Sequence, residues 1–356
     1  MNLRIFSLLC LAFHIAALPA TPTNDVVKYN GVPGTTRVQI YGHRGCRGLL
    51  PEQTMPAYAA ALRMGVDYVD MDVGMTKDGV LVITHDLTLN PDLTRDANGQ
   101  WITNRIPVRS LTLQELRTYD VGRLKPGTRY ASCFPCQRPV DHTPIPTLGE
   151  VVRFVNETAG DTVGFQIEIK NDPTQPELTA SPKEFARALH KLIAEEGIGN
   201  RTEIQAFDWR CLVELSKIDK TLKTAYLSDH TTEVMNDTEK GTWTAGVLPK
   251  DHGYSLPRIV RHLGGHCWEP FEMDLSEREV DEAHRLGLKV VAWGWPEQEG
   301  TEFNYAQTGK LIDWGVDGII TDRPDILRGI LAARGMNLPI GKSLAQKAAQ
   351  EIHDPF

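Results

Sequence analysis

The sequence has 356 residues and a formal net charge of −8. That length allows either two small domains or one large barrel. The acidic balance argues against partners that attract basic surfaces, namely nucleic acid and anionic membranes.

The chain begins Met1-Asn2-Leu3-Arg4 and runs apolar from Ile5 to Leu18, interrupted by Ser7, Cys10 and His14. A basic start, a short apolar run and small residues at Ala16, Ala17 and Ala20 predict a secretory signal peptide over 1–20. The run is too short for a membrane span, which needs about 20 residues. Its removal takes one Arg and no acid, leaving a charge of −9. The expected protein is therefore secreted and extracellular. It has an N-terminal extension over 21–36, a main domain over 37–335 and a polar tail over 336–356 without a lipid-anchor signal. Sequons at Asn156, Asn200 and Asn236 suit glycosylation in a eukaryotic host.

Strand-like runs fall at 38–42, 66–73, 163–169, 203–207, 223–227, 266–270, 289–293 and 316–321. Helical patterns lie between them at 54–64, 182–196, 209–217, 277–286, 305–314 and 324–333. Eight strands with intervening helices predict a TIM-type (β/α)₈ barrel, and no dinucleotide fingerprint or Walker sequence supports an open sheet instead. Asp78-Gly79 is a two-residue hairpin signal that folds the second strand back towards His85. The Pro-, Gly- and Arg-rich stretch over 97–146 reads as an insertion over the barrel mouth. Five cysteines follow the signal peptide, and Cys133-Phe134-Pro135-Cys136 reads as a local loop disulfide, since nothing completes a zinc site.

Four segments at expected strand ends carry chemistry. These are Gly42-His43-Arg44-Gly45, Asp70-Met71-Asp72, His85-Asp86 and Glu168-Ile169-Lys170. Alternate strand residues share a side, so Asp70 and Asp72 face one site. Three carboxylates suit a hard divalent cation, Arg44 and Lys170 suit a phosphate, and His43 and His85 can exchange protons with attacking and leaving oxygens. Glycoside hydrolysis would leave the histidines and the Arg without a task. Asp86 reads as an orienting group. Asp322 reads as the cap of a helix starting at Pro324 rather than as a group lining the barrel mouth.

The ordered set His43-Arg44-Gly45, Pro51-Glu52-Gln53-Thr54, Gly65 to Asp72, Thr76-Lys77-Asp78-Gly79 and His85-Asp86 resembles the glycerophosphodiester phosphodiesterase family. So do Ile145-Pro146-Thr147-Leu148, Glu168-Ile169-Lys170, Gln205-Ala206-Phe207-Asp208, Val290-Val291-Ala292-Trp293 and the run from Gly315 to Pro324. The resemblance spans about 38–330. It implies hydrolysis of a glycerophosphodiester to glycerol 3-phosphate and an alcohol. It also implies a metal site at Asp70, Asp72 and Glu168 and an acid–base pair at His43 and His85. Arg44 and Lys170 match phosphate-facing cations, Glu52 a site carboxylate and Trp293 a pocket aromatic. An extracellular setting, and carboxylates with no nucleotide to share the metal, favour Ca²⁺ over Mg²⁺.

The chain departs from the family pattern at Asp70, where Glu is usual, at Gln53, where Asn is common, and at Gly294, where Thr often follows the Trp. Two other readings fit the same barrel: a sphingomyelinase D-like phospholipase and a catalytically silent phosphate-ester-binding barrel.

Overall fold

A computed structural model describes residues 37–229, 240–296 and 300–343. The expected signal peptide, the 21–36 extension, the sequon at Asn236 and most of the tail lie outside them.

The chain opens with β1 (Gln39–Gly42), α1 (Met55–Met64) and β2 (Tyr68–Met75). β3 (Leu81–Ile83) turns back antiparallel onto β2. The turn between them holds Gly79 at φ 80, the left-handed geometry that Asp-Gly supplies at low cost. A ribbon of β4 (Thr88–Leu89) and β5 (Ile106–Pro107) follows, then short helices α2 (Leu113–Leu116) and α3 (Arg129–Cys133). After α4 (Leu148–Ala159) the alternation is regular: β6 (Gly164–Ile169), α5 (Pro182–Glu195), β7 (Thr202–Ala206), α6 (Trp209–Ile218) and β8 (Lys223–Ser228). It continues with α7 (Leu256–His262), β9 (Cys267–Pro270), α8 (Glu277–Arg285), β10 (Lys289–Trp293), α9 (Tyr305–Asp313), β11 (Gly318–Thr321) and α10 (Pro324–Ala333).

Eight of the strands pair in parallel in the order β1-β11-β10-β9-β8-β7-β6-β2, and β2 pairs with β1 to close the ring. This is the (β/α)₈ barrel the sequence predicts. Closure removes the exposed strand edges an open sheet would carry.

The period of two sorts each strand. On β2, Val69, Met71 and Val73 join the large outer core with Leu62 of α1 and Val151 of α4. Asp70 and Asp72 face the barrel axis instead. Ile167 of β6 belongs to the same outer core and is fully buried; truncation to Ala would cost about 2–5 kcal/mol. The barrel interior pairs a small apolar cluster, including Tyr41, Ala225, Val291 and Ile320, with polar groups such as Gln166, Glu203 and Gln205. No helix among the described residues is long and apolar enough to cross a membrane.

Besides the short α2 and α3 of the excursion, two helices were not expected. α4 has a full capping box, Thr147 with Glu150, and its β-branched Val151, Val152 and Val155 mimic a strand while packing as a helix face. α7 is seven residues long with a proline in its first turn, too short to declare a period.

The expected loop disulfide is a correction: Cys46, Cys133, Cys136, Cys211 and Cys267 are all thiols. Cys133 closes α3 with its Sγ 3.4 Å from the Arg129 carbonyl, while Cys136 is exposed. Between them Phe134 turns inward and takes the Arg47 guanidinium over its ring at 4.5 Å.

Candidate active site

The C-terminal ends of the strands open into a cavity of about 1000 Å³. His43, Arg44, Glu52, Asp70, His85, Glu168, Lys170 and Trp293 line it. Asp72, 1% exposed, sits immediately behind. All nine residues expected from sequence therefore come together at one mouth.

The turn after β1 is tightly built. Gly45 has φ 85, and a Cβ there would lie 2.7 Å from the Ala57 carbonyl carbon. Arg44 (φ 47) and Gln53 (φ 61) also lie in the left-handed region, and Gln53 N donates to Arg44 O at 3.1 Å. Strained backbone of this kind persists where the surroundings hold it in place. Here it aims Arg44 into the site.

His43 Nδ1 lies 2.7 Å from Asp322 Oδ1. Arg47 grips the same carboxylate with both branches, Nε to Oδ1 at 2.8 Å and Nη2 to Oδ2 at 2.9 Å. Asp322 is therefore a buried support for His43, whereas the N-cap of α10 is Arg323. Burial pushes the His43 imidazole below its ordinary value, with Asp322 opposing and Arg47 assisting. Burial also opposes ionisation of Asp322, but Arg47 and His43 outweigh it and hold that carboxyl well below the usual range.

His85 has a matching support, its Nδ1 lying 2.8 Å from Asp86 Oδ1. Asp86 Oδ2 is held in turn by Asn90 at 3.0 Å and Arg105 at 3.1 Å. Burial, then Arg44 and Lys170, push His85 down to about 4. With Nδ1 committed to a carboxylate, each imidazole carries its lone pair on Nε2 when neutral.

Arg44 reaches Glu52 Oε1 at 2.6 Å and Asp72 Oδ2 at 3.3 Å. Tyr130, on α3, donates to Glu52 Oε2 and accepts from Arg47 Nη1 at 3.2 Å. Burial disfavours both charges of the Arg44–Glu52 pair. The surrounding opposite charges still raise Arg44 and lower Glu52, so both stay ionised.

The three carboxylates expected to bind metal lie on neighbouring strands in register, Asp72 opposite Glu168. Gln205 Nε2 donates to Asp70 Oδ1 at 2.6 Å and Gln53 Nε2 to Asp72 Oδ2 at 2.5 Å. Lys170 Nζ lies 2.5 Å from Glu168 and 3.8 Å from Asp72. Among the described residues no three His, Cys, Asp or Glu side chains converge as a ready-made metal cage.

The charge balance nevertheless fits a divalent cation. With every carboxyl ionised, Glu52, Asp70, Asp72, Glu168 and Asp322 would outnumber Arg44, Arg47 and Lys170 by two charges. The strain falls on two groups. Burial and the neighbouring Asp72 and Glu168 push Asp70 well above its ordinary value. Burial, with Asp72 adding to it, pushes Glu168 up to about 8 despite Lys170. Burial acts on Asp72 too, but Lys170 and Arg44 overcome it and hold that carboxyl low. Hard oxygen donors short of positive charge are what Ca²⁺ or Mg²⁺ takes.

Five further residues matter that were not counted from sequence: Arg47, Gln53, Tyr130, Gln205 and Asp322. Gln53, Gln205 and Asp322 sit within the motif runs. Arg47 lies four residues past His43, in the same turn. Tyr130 had no local signal, because its place depends on how the excursion before α4 folds over the mouth.

A family model described as the glycerophosphoryl diester phosphodiesterase family matches residues 43–326. The glycerophosphodiester phosphodiesterase of Bacillus subtilis is 26% identical over 335 residues, covering 92% of this chain and 97% of that one. That of Bacillus altitudinis is 32% identical over 267 residues, covering 73% and 96%. The crystal structure of a Silicibacter pomeroyi protein assigned to the same activity superposes with a TM-score of 0.74 at 33% identity, covering 86% and 97%. An Oleispira antarctica phosphodiesterase solved with sn-glycerol-3-phosphate shares the fold, with a TM-score of 0.60 at 20% identity, covering 83% and 96%.

Proposed function

We infer that this chain, which belongs to the glycerophosphoryl diester phosphodiesterase family and hydrolyses glycerophosphodiesters, does so with a divalent metal and two histidines, releasing glycerol 3-phosphate and an alcohol. The observation that carries this reading is the matched pair of histidines, each held through Nδ1 by a carboxylate, around a cavity that also holds Arg44 and Lys170. The names of the relatives favour the diesterase over the phospholipase reading.

Asp70, Asp72 and Glu168 would hold the cation, which supplies Lewis-acid withdrawal of charge from the phosphate oxygens when bound. The chain's own groups do the rest. Arg44 and Lys170 offset the phosphate charge, and Glu52 fixes Arg44. His85, the more strongly depressed imidazole, stays neutral and takes the proton of the nucleophile at Nε2. His43, supported by Asp322, delivers a proton from Nε2 to the leaving alkoxide. Closure of the mouth by α3 limits water around Arg44 and Glu52.

The extracellular setting expected from the N-terminus favours Ca²⁺. Chelation followed by graded return of Ca²⁺ or Mg²⁺ tests the metal assignment. Activity is expected to vanish with chelator and return with Ca²⁺ at lower concentration than with Mg²⁺. Full activity in chelator would refute the metal role. The N-terminal sequence of protein recovered from culture medium tests secretion; an intact Met1 would count against it.

A further inference from the structure

The cavity has two chemically different halves. The ends of β1, β2 and β6 and the β3 hairpin bring the charged groups already described. The opposite half, above β7, β8 and β10, is aromatic: Phe207 follows β7, Trp293 ends β10, Trp295 lies two residues on, and Trp243 comes from the segment after β8. Phe207, Trp293 and Trp295 pack on one another. Phe207 meets Trp293 edge-on, with centroids 5.5 Å apart and planes at 89°. Trp293 and Trp295 lie 6.4 Å apart at 41°.

Trp293 Nε1 donates to the Glu269 carbonyl at 3.1 Å. Its polar edge is thus committed to the barrel wall, and what it offers the cavity is ring surface. Among the described residues, the fixed cations lining the cavity, Arg44, Arg47, Arg105 and Lys170, come from the charged half or the excursion over it. Two carboxylates edge the aromatic half: Asp229 just past β8, and Asp172, whose oxygens accept from Thr174 and Gln175, both neutral.

A wall of ring faces with negative charge at its border suits a particular ligand. The ring faces themselves offer a polyol no strong hydrogen-bond acceptor, leaving it the border carboxylates alone. A primary ammonium would lose its water without gaining acceptors on every proton. A cation whose charge is spread over methyl groups loses little hydration and gains from each ring face, Trp most of all.

We infer that the aromatic half is a head-group subsite for a quaternary ammonium, which makes choline-type glycerophosphodiesters the preferred substrate class. The inference rests on the diesterase reading for its substrate and on the aromatic wall for its selectivity.

The experiment compares kcat/KM for glycerophosphocholine and glycerophosphoglycerol in wild type, Trp295→Ala and Trp243→Ala. Calorimetric titration with choline, and with dimethylbutanol as its uncharged carbon isostere, accompanies it. Wild type is expected to favour glycerophosphocholine, and each variant to lower that preference about tenfold. Choline is expected to bind about tenfold more tightly than its isostere, and the variants to lose that difference. Equal kcat/KM for both diesters in wild type, or choline binding no better than the isostere, would overturn the subsite. Failure to hydrolyse either diester would fall on the diesterase reading; choline titration would then decide the subsite alone, binding that Trp295→Ala abolishes supporting it and no binding overturning it.

Discussion

Replacing Asp322 with Asn separates the support of His43 from the mere packing of the barrel mouth. Asp322 is 4% exposed and accepts from Arg47 at 2.8 and 2.9 Å, with His43 at 2.7 Å. Asparagine keeps the shape but removes the charge and turns an NH₂ towards donors. Breaking a buried ion pair costs about 3–5 kcal/mol. Asn retains one acceptor and Arg47 retains Tyr130, so the lower end applies, about 3 kcal/mol. For a chain of this size that lowers Tm by roughly 4 °C. The loss of turnover should be larger than stability explains. Without a carboxylate on Nδ1 the ring is no longer fixed with Nε2 towards the leaving oxygen, and kcat is expected to fall roughly 100-fold or more. Asp317→Asn is the control, because Asp317 holds His284 at 2.9 Å on a side of the barrel remote from the cavity. It should lower Tm and leave kcat unchanged. Calorimetry with steady-state kinetics on glycerophosphocholine reads both. An Asp322→Asn enzyme that melts earlier yet turns over like wild type would refute the orienting role.

The rate should trace a bell against pH. It rises through the low pKa of His85, near 4, as that base becomes neutral, and falls at higher pH as His43 loses its proton; His85→Ala should remove the acid limb, and a persisting limb would reassign the base. Glu168, raised to about 8 in the folded metal-free protein, binds a proton there that the unfolded chain has released, so stability falls as pH rises from about 4.5 to 8. The two depressed histidines act oppositely below their ordinary value of 6.5, so the clean window is about pH 6.5–8. Thermal melts in chelator should decline there, less steeply for Glu168→Gln, and identical slopes would contradict the assignment. Tyr130→Phe strips a hydroxyl from Glu52 and Arg47 and should cost about 1–2 kcal/mol; an unchanged melt would place that hydroxyl outside the network.

What could be read from sequence was what repeats locally. Most of the strands declare themselves by short β-branched or aromatic runs, and the site groups by falling at the ends of those runs, which is why Asp70, Asp72, Glu168 and Lys170 are legible in the sequence. Helix α4 was missed because Val151, Val152 and Val155 carry strand propensity that packing overrides. Asp322 was misread for a related reason. Two residues before Pro324 a helix cap is the local solution, but closing the barrel sets β11 against β1 and puts Arg47 within reach. Tyr130 and the aromatic half were beyond sequence altogether. Both depend on segments distant along the chain meeting over the mouth. The cysteine pair misled because its spacing suits a disulfide while Phe134 between its members is drawn inward by Arg47.

The central claim is that this cavity cleaves glycerophosphodiesters through His43 and a metal. Release of glycerol 3-phosphate from glycerophosphocholine by purified protein, with and without chelator, for wild type and His43→Ala, tests it most directly. Release is expected from metal-loaded wild type alone, with both the chelated enzyme and the variant reduced at least 100-fold. Equal release by folded His43→Ala, or none from wild type with Ca²⁺ or Mg²⁺ supplied, would contradict it.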